Sequence, residues 1–498
     1  MKYSSTRGRE QLLVSAEAII SGIADNGGLF VPLRIPVLDR AVIASLAGLS
    51  YQQRAVKILN EFLTDYCIDD LNRCIAEAYH ADKFDDKAIA PLKTLPDGNY
   101  VLELWHGPTS AFKDMALQLL PQLMSRALQM TGESDEIVIL VATSGDTGKA
   151  ALEGFRDIEQ IKIIVFYPYQ GVSEIQRRQM VSQAGDNVAV IAVKGNFDDA
   201  QTGVKNVFNH EQYKEELAKA GFQLSSANSI NWGRLVPQIV YYFSAYADLV
   251  REGQIALGHE VNFVVPTGNF GNILAGYYAK QMGLPVKRLI CASNANNVLT
   301  DFLQTGVYDR KRGFHKTISP SMDILISSNL ERLLYHITGG NTEQIKAWMT
   351  ALNTEGRYDI GAENLTVVQE LFWAGWADDA GTMRTIKDIY ERYGYTADPH
   401  TAVAWQVGNT YRRETGDATP SIILSTASPY KFNESVLQAI TGKDLAGKDE
   451  FDMLEELAGL SGLEVPPSLA GLKDAPARFG QTCEKTELEQ VIKCLLVK

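Results

Sequence analysis

The chain has 498 residues, 45% hydrophobic and 21% charged, which describes a globular protein of about three domains and excludes a mainly disordered one. Its 47 basic and 60 acidic residues leave a net charge of -13. That argues against nucleic acid or an acidic membrane surface as the main partner, but not against a small anionic substrate.

The five cysteines, Cys67, Cys74, Cys291, Cys483 and Cys494, are widely spaced and form no Cys-x-x-Cys, so neither a metal site nor a disulfide frame is expected. Residues 1–15 have no apolar h-region or small-residue cleavage site. No apolar run reaches the roughly 18 residues of a membrane span. A soluble cytoplasmic protein is expected.

Residues 1–96 read mainly as helices and turns. Asp25-Asn26-Gly27-Gly28 is a turn cluster ahead of Leu29-Phe30-Val31-Pro32. From Tyr51 to Phe84 the pattern is helical, with Val56, Ile58, Leu59, Phe62 and Leu63 on one face. Pro96-Asp97-Gly98 is a turn and a plausible boundary.

Beyond it, short apolar runs alternate with helical stretches. The runs are Ile137 to Ala142, Ile161 to Phe166, Val188 to Val193, Val261 to Val265, Arg288 to Ala292 and Ser421 to Leu424. Their repetition predicts buried parallel strands in βαβ units. The stretch from Leu463 to Pro476 is rich in Pro, Gly and Ala and reads as a loop. Leu488, Val491, Ile492, Leu495 and Leu496 then mark an amphipathic helix that packs on the body.

In open α/β sheets, ligands sit at the carboxyl ends of strands. Two predicted strands end in glycine-rich turns before helices. One continues as Pro266-Thr267-Gly268-Asn269-Phe270-Gly271-Asn272. Its glycines let the backbone approach an anion, and the free N–H groups of the helix start point at it. A dinucleotide reading fails, because Phe270 stands where the second glycine of G-x-G-x-x-G belongs.

The other is Thr143-Ser144-Gly145-Asp146-Thr147-Gly148-Lys149-Ala150. It resembles a P-loop only superficially, since Thr143 replaces the first glycine and Ala150 the final Ser or Thr. What remains is a set of hydroxyl and N–H donors suited to a carboxylate or phosphate, or simply a capped helix.

Three further segments carry reactive groups. In His106-Gly107-Pro108-Thr109-Ser110-Ala111-Phe112-Lys113, a lysine beside an apolar helix pattern suits Schiff-base chemistry, although spacing alone favours a surface lysine. His106 alone reads as structural. Arg234, after Asn228-Ser229-Ile230-Asn231, is placed to clamp a phosphate or to be solvated. Ser425, Thr426 and Ser428 end a strand, where their hydroxyls meet a heteroaromatic nitrogen or cap a turn.

Together and in this order, these segments resemble threonine synthases of the longer bacterial and fungal type, within the fold-type II pyridoxal-phosphate enzymes. Tyr3-Ser4-Ser5-Thr6-Arg7-Gly8 and Gly195-Asn196-Phe197-Asp198-Asp199-Ala200-Gln201 belong to the same ordered set, which covers nearly the whole chain.

The resemblance implies an α/β fold of the tryptophan synthase β type, with two doubly wound α/β domains and a mainly helical N-terminal domain. The implied division is 1–96 for the N-terminal domain, 97–125 with 230–435 for the large cofactor-binding domain, 126–229 for the small domain and 436–498 for a C-terminal helical segment.

It further implies conversion of O-phospho-L-homoserine and water to L-threonine and phosphate. Lys113 then holds pyridoxal phosphate and acts as the base at Cα and Cβ. Gly268, Asn269, Phe270, Gly271 and Asn272 cradle the cofactor phosphate, and Thr426 meets the pyridine nitrogen. Ser144, Asp146 and Thr147 greet the substrate carboxylate or phosphate, with Asn231 and Arg234 on the substrate phosphate. The small domain closes over the substrate. No metal, nucleic acid, membrane or obligate protein partner is implied.

The chain departs from the family at 426–432, where Ser428 stands for the usual histidine and Tyr430 for an alanine. Fold-type II dehydratases and sulfhydrylases carry a related Ser-x-Gly-Asn-x-Gly loop; Asp146 and the long N-terminal extension favour threonine synthase.

Overall fold

A computed structural model describes residues 1–8, 11–143, 145–169 and 172–496, apart from the side chains of Phe197 and Asp198. Two sheets organise the chain. The larger has six strands in the order Phe372–Trp376, Val286–Ser293, Val261–Pro266, Ser421–Ser425, Asn99–Glu103 and Leu92–Leu95. All its neighbours are parallel except the last pair, which is antiparallel. The second sheet is parallel throughout, in the order Thr482–Glu484, Val188–Lys194, Ile161–Pro168, Glu136–Ala142 and Phe222–Ser225.

The continuous apolar runs are explained by burial on both faces. Every residue of Val261–Pro266 is buried. Val261, Phe263 and Val265 pack into the main core with Ile19, Leu59 and Tyr278, whereas Val264 faces Val403 and Trp405 on the other side. The second sheet alternates likewise. Ile137, Ile139 and Val141 join the main core, and Val138 and Leu140 join a separate one with Val491 and Ile492 of the C-terminal helix Leu488–Leu496. One core therefore runs between the two sheets and ties them together.

The N-terminal region is helical, but the stretch expected as one helix is two, Tyr51–Asn60 and Ile68–Ala78. Ser50 and Cys67 each cap a start. The break is fixed by a tertiary bond, since the Phe62 carbonyl accepts from the Tyr3 hydroxyl at 2.9 Å. Residues Tyr3–Ser5 pair antiparallel with Phe30–Pro32, which brings the two N-terminal motifs side by side.

The C-terminal segment crosses from one sheet to the other. Helices Asn433–Thr441 and Glu450–Ser461 pack on helix Glu174–Val181 through Leu437, Leu454, Leu457 and Ile175. Tyr430 belongs to that layer, with its hydroxyl on the Leu463 carbonyl. Strand Thr482–Glu484 then extends the second sheet, in a segment expected to be helical.

Candidate active site

Carboxyl ends of strands from both sheets converge on one region. The turn after Asn99–Glu103 is sewn to the turn after Ser421–Ser425: Leu104 N–H donates to the Ser425 carbonyl at 2.9 Å, Phe112 N–H to Thr426 at 2.8 Å, and Ser428 N–H to Ser110 at 3.0 Å. This stitching fixes residues 104–113, so the residue that follows Phe112 has a defined place.

That residue is Lys113. It precedes the short helix Asp114–Leu117 and is partly buried, with Nζ 4.8 Å from the centre of the Phe112 ring. Burial, reinforced by the nearby charges of Arg234 and Lys431, lowers its amine to about 8, against the opposing pull of Asp146 and Asp114. Asp114 beside it is raised to about 6 by burial, although Thr109 donates to it twice.

Residues 267–272 form the loop between strand Val261–Pro266 and helix Gly271–Gln281. Phe270 takes the left-handed conformation at φ +63°, which turns the chain into the helix and buries its ring 5.6 Å from Phe372. A Cβ on Gly268 would lie 2.9 Å from the Ser321 carbonyl oxygen, so glycine alone fits there. Tyr241 and Tyr242 hydroxyls grip the Asn272 Oδ1 at 2.6 and 2.9 Å, while its buried Nδ2 has no partner. Among the described residues the N–H groups of 269–272 also lack acceptors. A buried amide and a row of main-chain donors at a helix start are what an anionic group requires.

The loop after Glu136–Ala142 is a second helix start. Thr143 Oγ1 accepts from Gly145 N–H at 3.0 Å and Gly148 N–H at 2.9 Å, and so satisfies two of the first donors. Those of Asp146 and Thr147 have no acceptor among the described residues. Ser144 lies outside the described residues. The Asp146 carboxylate is turned away from this role. It sits 2.7 Å from Lys431 Nζ. Burial would raise it, but Lys431 and Lys113 together hold it below the usual carboxylate range.

The other expected residues separate. Arg234 is buried near Lys113, donates to the Ala227 carbonyl and leaves Nε unpaired, and burial lowers it to about 10. Asn231 is fully engaged elsewhere: Nδ2 donates to Ile19 and Ser226 carbonyls at 3.0 and 2.9 Å, and Oδ1 accepts from Gly233 N–H at 2.8 Å. Thr426 is buried beside the Lys113 turn, and its hydroxyl has no partner among the described residues.

Three polar residues at this junction carried little or no warning in the sequence. Lys431 lies within a quoted segment, between Tyr430 and Phe432, but nothing in the spacing marks it as buried. His400, inside Asp398-Pro399-His400-Thr401, looks like part of a helix start. Ser321 sits in an irregular stretch with no motif.

Family models match most of the chain. Residues 2–79 match a family model described as threonine synthase N terminus, 91–426 one described as pyridoxal-phosphate dependent enzyme, and 401–494 one described as threonine synthase, C-terminal. A threonine synthase of Pseudomonas aeruginosa is 41% identical over 444 residues, 89% of this chain and 91% of that one.

The chain belongs to the threonine synthase family.

Two crystal structures of threonine synthases superpose on it closely. The pyridoxal-phosphate-bound protein from Brucella melitensis gives a TM-score of 0.88 at 36% identity, covering 100% of both chains. The yeast protein gives 0.88 at 34%, covering 99% of this chain and 98% of that one. The fold is thus the fold-type II fold, and pyridoxal phosphate is the cofactor. The residues fit it: the unpaired Asn272 amide and the free N–H groups of 269–272 suit its phosphate, and Lys113 supplies an amine of lowered basicity.

Proposed function

We propose that this threonine synthase family member converts O-phospho-L-homoserine and water to L-threonine and inorganic phosphate, the last step of threonine biosynthesis. One observation carries the reading: the amine of Lys113 lies near a buried arginine with an unpaired Nε and near the Asp146 helix start, whose N–H groups are unused among the described residues.

Pyridoxal phosphate, when bound, supplies an electron sink that makes the hydrogens at Cα and Cβ of an attached amino acid acidic. Lys113 would hold it through its amine in the resting enzyme and be free as a base once substrate is bound. As a free amine it takes the proton from Cα and then one from Cβ. An amine lowered to about 8 keeps a useful unprotonated fraction near neutral pH.

Arg234 binds the substrate phosphate and offsets the charge that grows as the Cγ–O bond breaks. The Asp146 and Thr147 N–H groups hold the substrate carboxylate. A proton returns to Cγ, water adds at Cβ as a hydroxyl while its other proton ends on the released phosphate, and Lys113 returns the proton to Cα. Thr426 offers the ring nitrogen a neutral hydroxyl, which leaves it without the carboxylate partner that would enforce protonation. Residues 268–272 bind the cofactor phosphate.

The reading also makes the protein a cytoplasmic enzyme acting on a small molecule. Its five thiols are free, which suits a reducing compartment. No helix among the described residues is long and apolar enough to cross a membrane.

The test is phosphate release and L-threonine formation from O-phospho-L-homoserine, beside 2-oxo acid formation from L-serine and L-threonine. The first is expected to dominate and to vanish in Lys113→Ala. Borohydride reduction followed by peptide mapping is expected to label Lys113. Dominant dehydration, or unchanged turnover in the variant, overturns the assignment.

A further inference from the structure

Asp146 and Lys431 follow strands of different sheets, Asp146 at the helix start after Glu136–Ala142 and Lys431 in the turn after Ser421–Ser425. Lys431 Nζ lies 2.7 Å from Asp146 Oδ1, and neither side chain reaches solvent, at 0% and 4% exposure. The same ammonium donates to the Thr109 carbonyl at 2.9 Å. Asp146 receives two more donors, Gln176 Nε2 on Oδ1 and Ser321 Oγ on Oδ2, both at 3.3 Å. Ser321 is itself held, since its N–H donates to His400 Nε2 at 3.2 Å and His400 Nδ1 faces Asp398 at 2.8 Å. A carboxylate so enclosed is no receptor for an anionic substrate. Its surroundings serve to hold it still.

We propose that Lys431 is a positioning residue for the reaction: one ammonium, bonded to the Asp146 carboxylate and the Thr109 carbonyl, pins the loop of the second sheet to the turn that carries Lys113. The inference rests on the roles given above to Lys113 and to the N–H groups of 146 and 147. A buried carboxylate without its cation is strongly unfavourable. Without Lys431 the loop relieves that by moving Asp146 towards water, and the two N–H donors move with it. The Thr109 end of the pin matters as much, because Thr109 is tied to Asp114, next to Lys113. The cofactor cradle at 268–272 follows a strand of the larger sheet and is held by bonds from Ser327 and Asn329 to the Gly268 and Asn269 carbonyls, with no direct bond to this pair.

The test compares Lys431→Met, Asp146→Asn and the double variant as holoenzymes. K431M is expected to bind cofactor stoichiometrically and to be labelled by borohydride at Lys113. Its KM for O-phospho-L-homoserine is expected to rise about tenfold or more, with a smaller fall in kcat. Hydrogen exchange at the amides of 145–152 is expected to accelerate at least about tenfold, with helix Pro237–Arg251 unchanged.

D146N, which keeps the side-chain shape, gives the same comparison if K431M does not fold. The double variant buries neither charge, so its KM effect is expected to fall at least about tenfold short of the product of the single effects. Wild-type KM with wild-type exchange at 145–152 in K431M, or strictly multiplicative single effects, overturns the proposal. If the unaltered protein releases no phosphate from this substrate, the functional reading fails instead, and the exchange comparison still decides the role of Lys431.

Discussion

Asp114 takes two hydrogen bonds from Thr109, one from the backbone N–H at 2.8 Å and one from the hydroxyl at 2.7 Å, and both residues are fully buried. The pair closes the turn that contains Lys113. Thr109→Val keeps the shape of the side chain and removes the hydroxyl, leaving an ionised buried acid short of a donor. A hydrogen bond to a charged group contributes about 1.5–3 kcal/mol. The variant is expected to unfold in urea at about 2 kcal/mol lower stability above pH 7, where Asp114, at about 6, is ionised. Unchanged stability there would show that the hydroxyl bond contributes nothing to the turn.

Gly268 separates the cofactor loop from the backbone of 321–322. In Gly268→Ala the new Cβ would meet the Ser321 carbonyl oxygen at 2.9 Å and Met322 Cα at 3.2 Å, and both are main-chain atoms with little freedom to move. Overpacking of this kind costs about 1–3 kcal/mol. The loop yields first, since its N–H groups are otherwise unpaired, so affinity for pyridoxal phosphate is expected to drop about tenfold or more, as read by absorbance titration of the apoenzyme. Wild-type affinity would mean that the 321–322 backbone gives way instead.

The parts that were legible in the sequence share a physical reason. Strands such as Ile161–Pro168 and Val261–Pro266 are buried on both faces, and nearly continuous apolar runs, broken only by Lys162 and Asn262, follow from that. Phe372–Trp376 was missed because it follows helix Gly361–Leu371 directly, with no turn residue between, and contains a glycine. Thr482–Glu484 is a polar edge strand of three residues, too short for any period to show.

In the site, the 268–272 loop stands out because a strand, a glycine turn and a helix start follow one another, whereas Lys113 is marked only by the resemblance of the whole ordered set of segments. The Asp146–Ser321 bond spans 175 residues, and no local pattern records such a contact. Asn231 lies in the quoted motif, but tertiary partners that no local pattern records take up its side chain.

Asn231 and Arg234, three residues apart, therefore separate experimentally. Asn231→Ala leaves the Ile19 and Ser226 carbonyls and the Gly233 N–H without that partner inside the protein. It is expected to lower stability by about 2–3 kcal/mol while KM for O-phospho-L-homoserine stays within about threefold. Arg234→Met removes the buried guanidinium whose Nε is unpaired. It is expected to raise that KM by about ten- to a hundredfold, the loss of one or two charge-assisted bonds. A large KM effect in N231A would return that residue to the substrate.

His106 gives the fold a pH dependence of definite sign. Its Nδ1 lies 2.5 Å from Asp85 and its Nε2 3.0 Å from Glu103, and Trp105 stacks on the ring at 4.2 Å. Burial alone would lower the imidazole, but the two carboxylates overcome it and raise it to about 9 from an ordinary 6.5. Between those values the folded chain keeps a proton that the unfolded chain has lost. The stabilisation is complete below pH 6.5 and drains away as pH rises through 9. Because Asp85 is half exposed, the whole effect is about 2 kcal/mol rather than the larger value for a dry pair. His106→Gln cannot titrate. The stability difference between the two proteins, from urea unfolding, is expected to be about 2 kcal/mol larger near pH 6 than near pH 9.5. A difference that does not change with pH would mean that the ring is uncharged between its two acids.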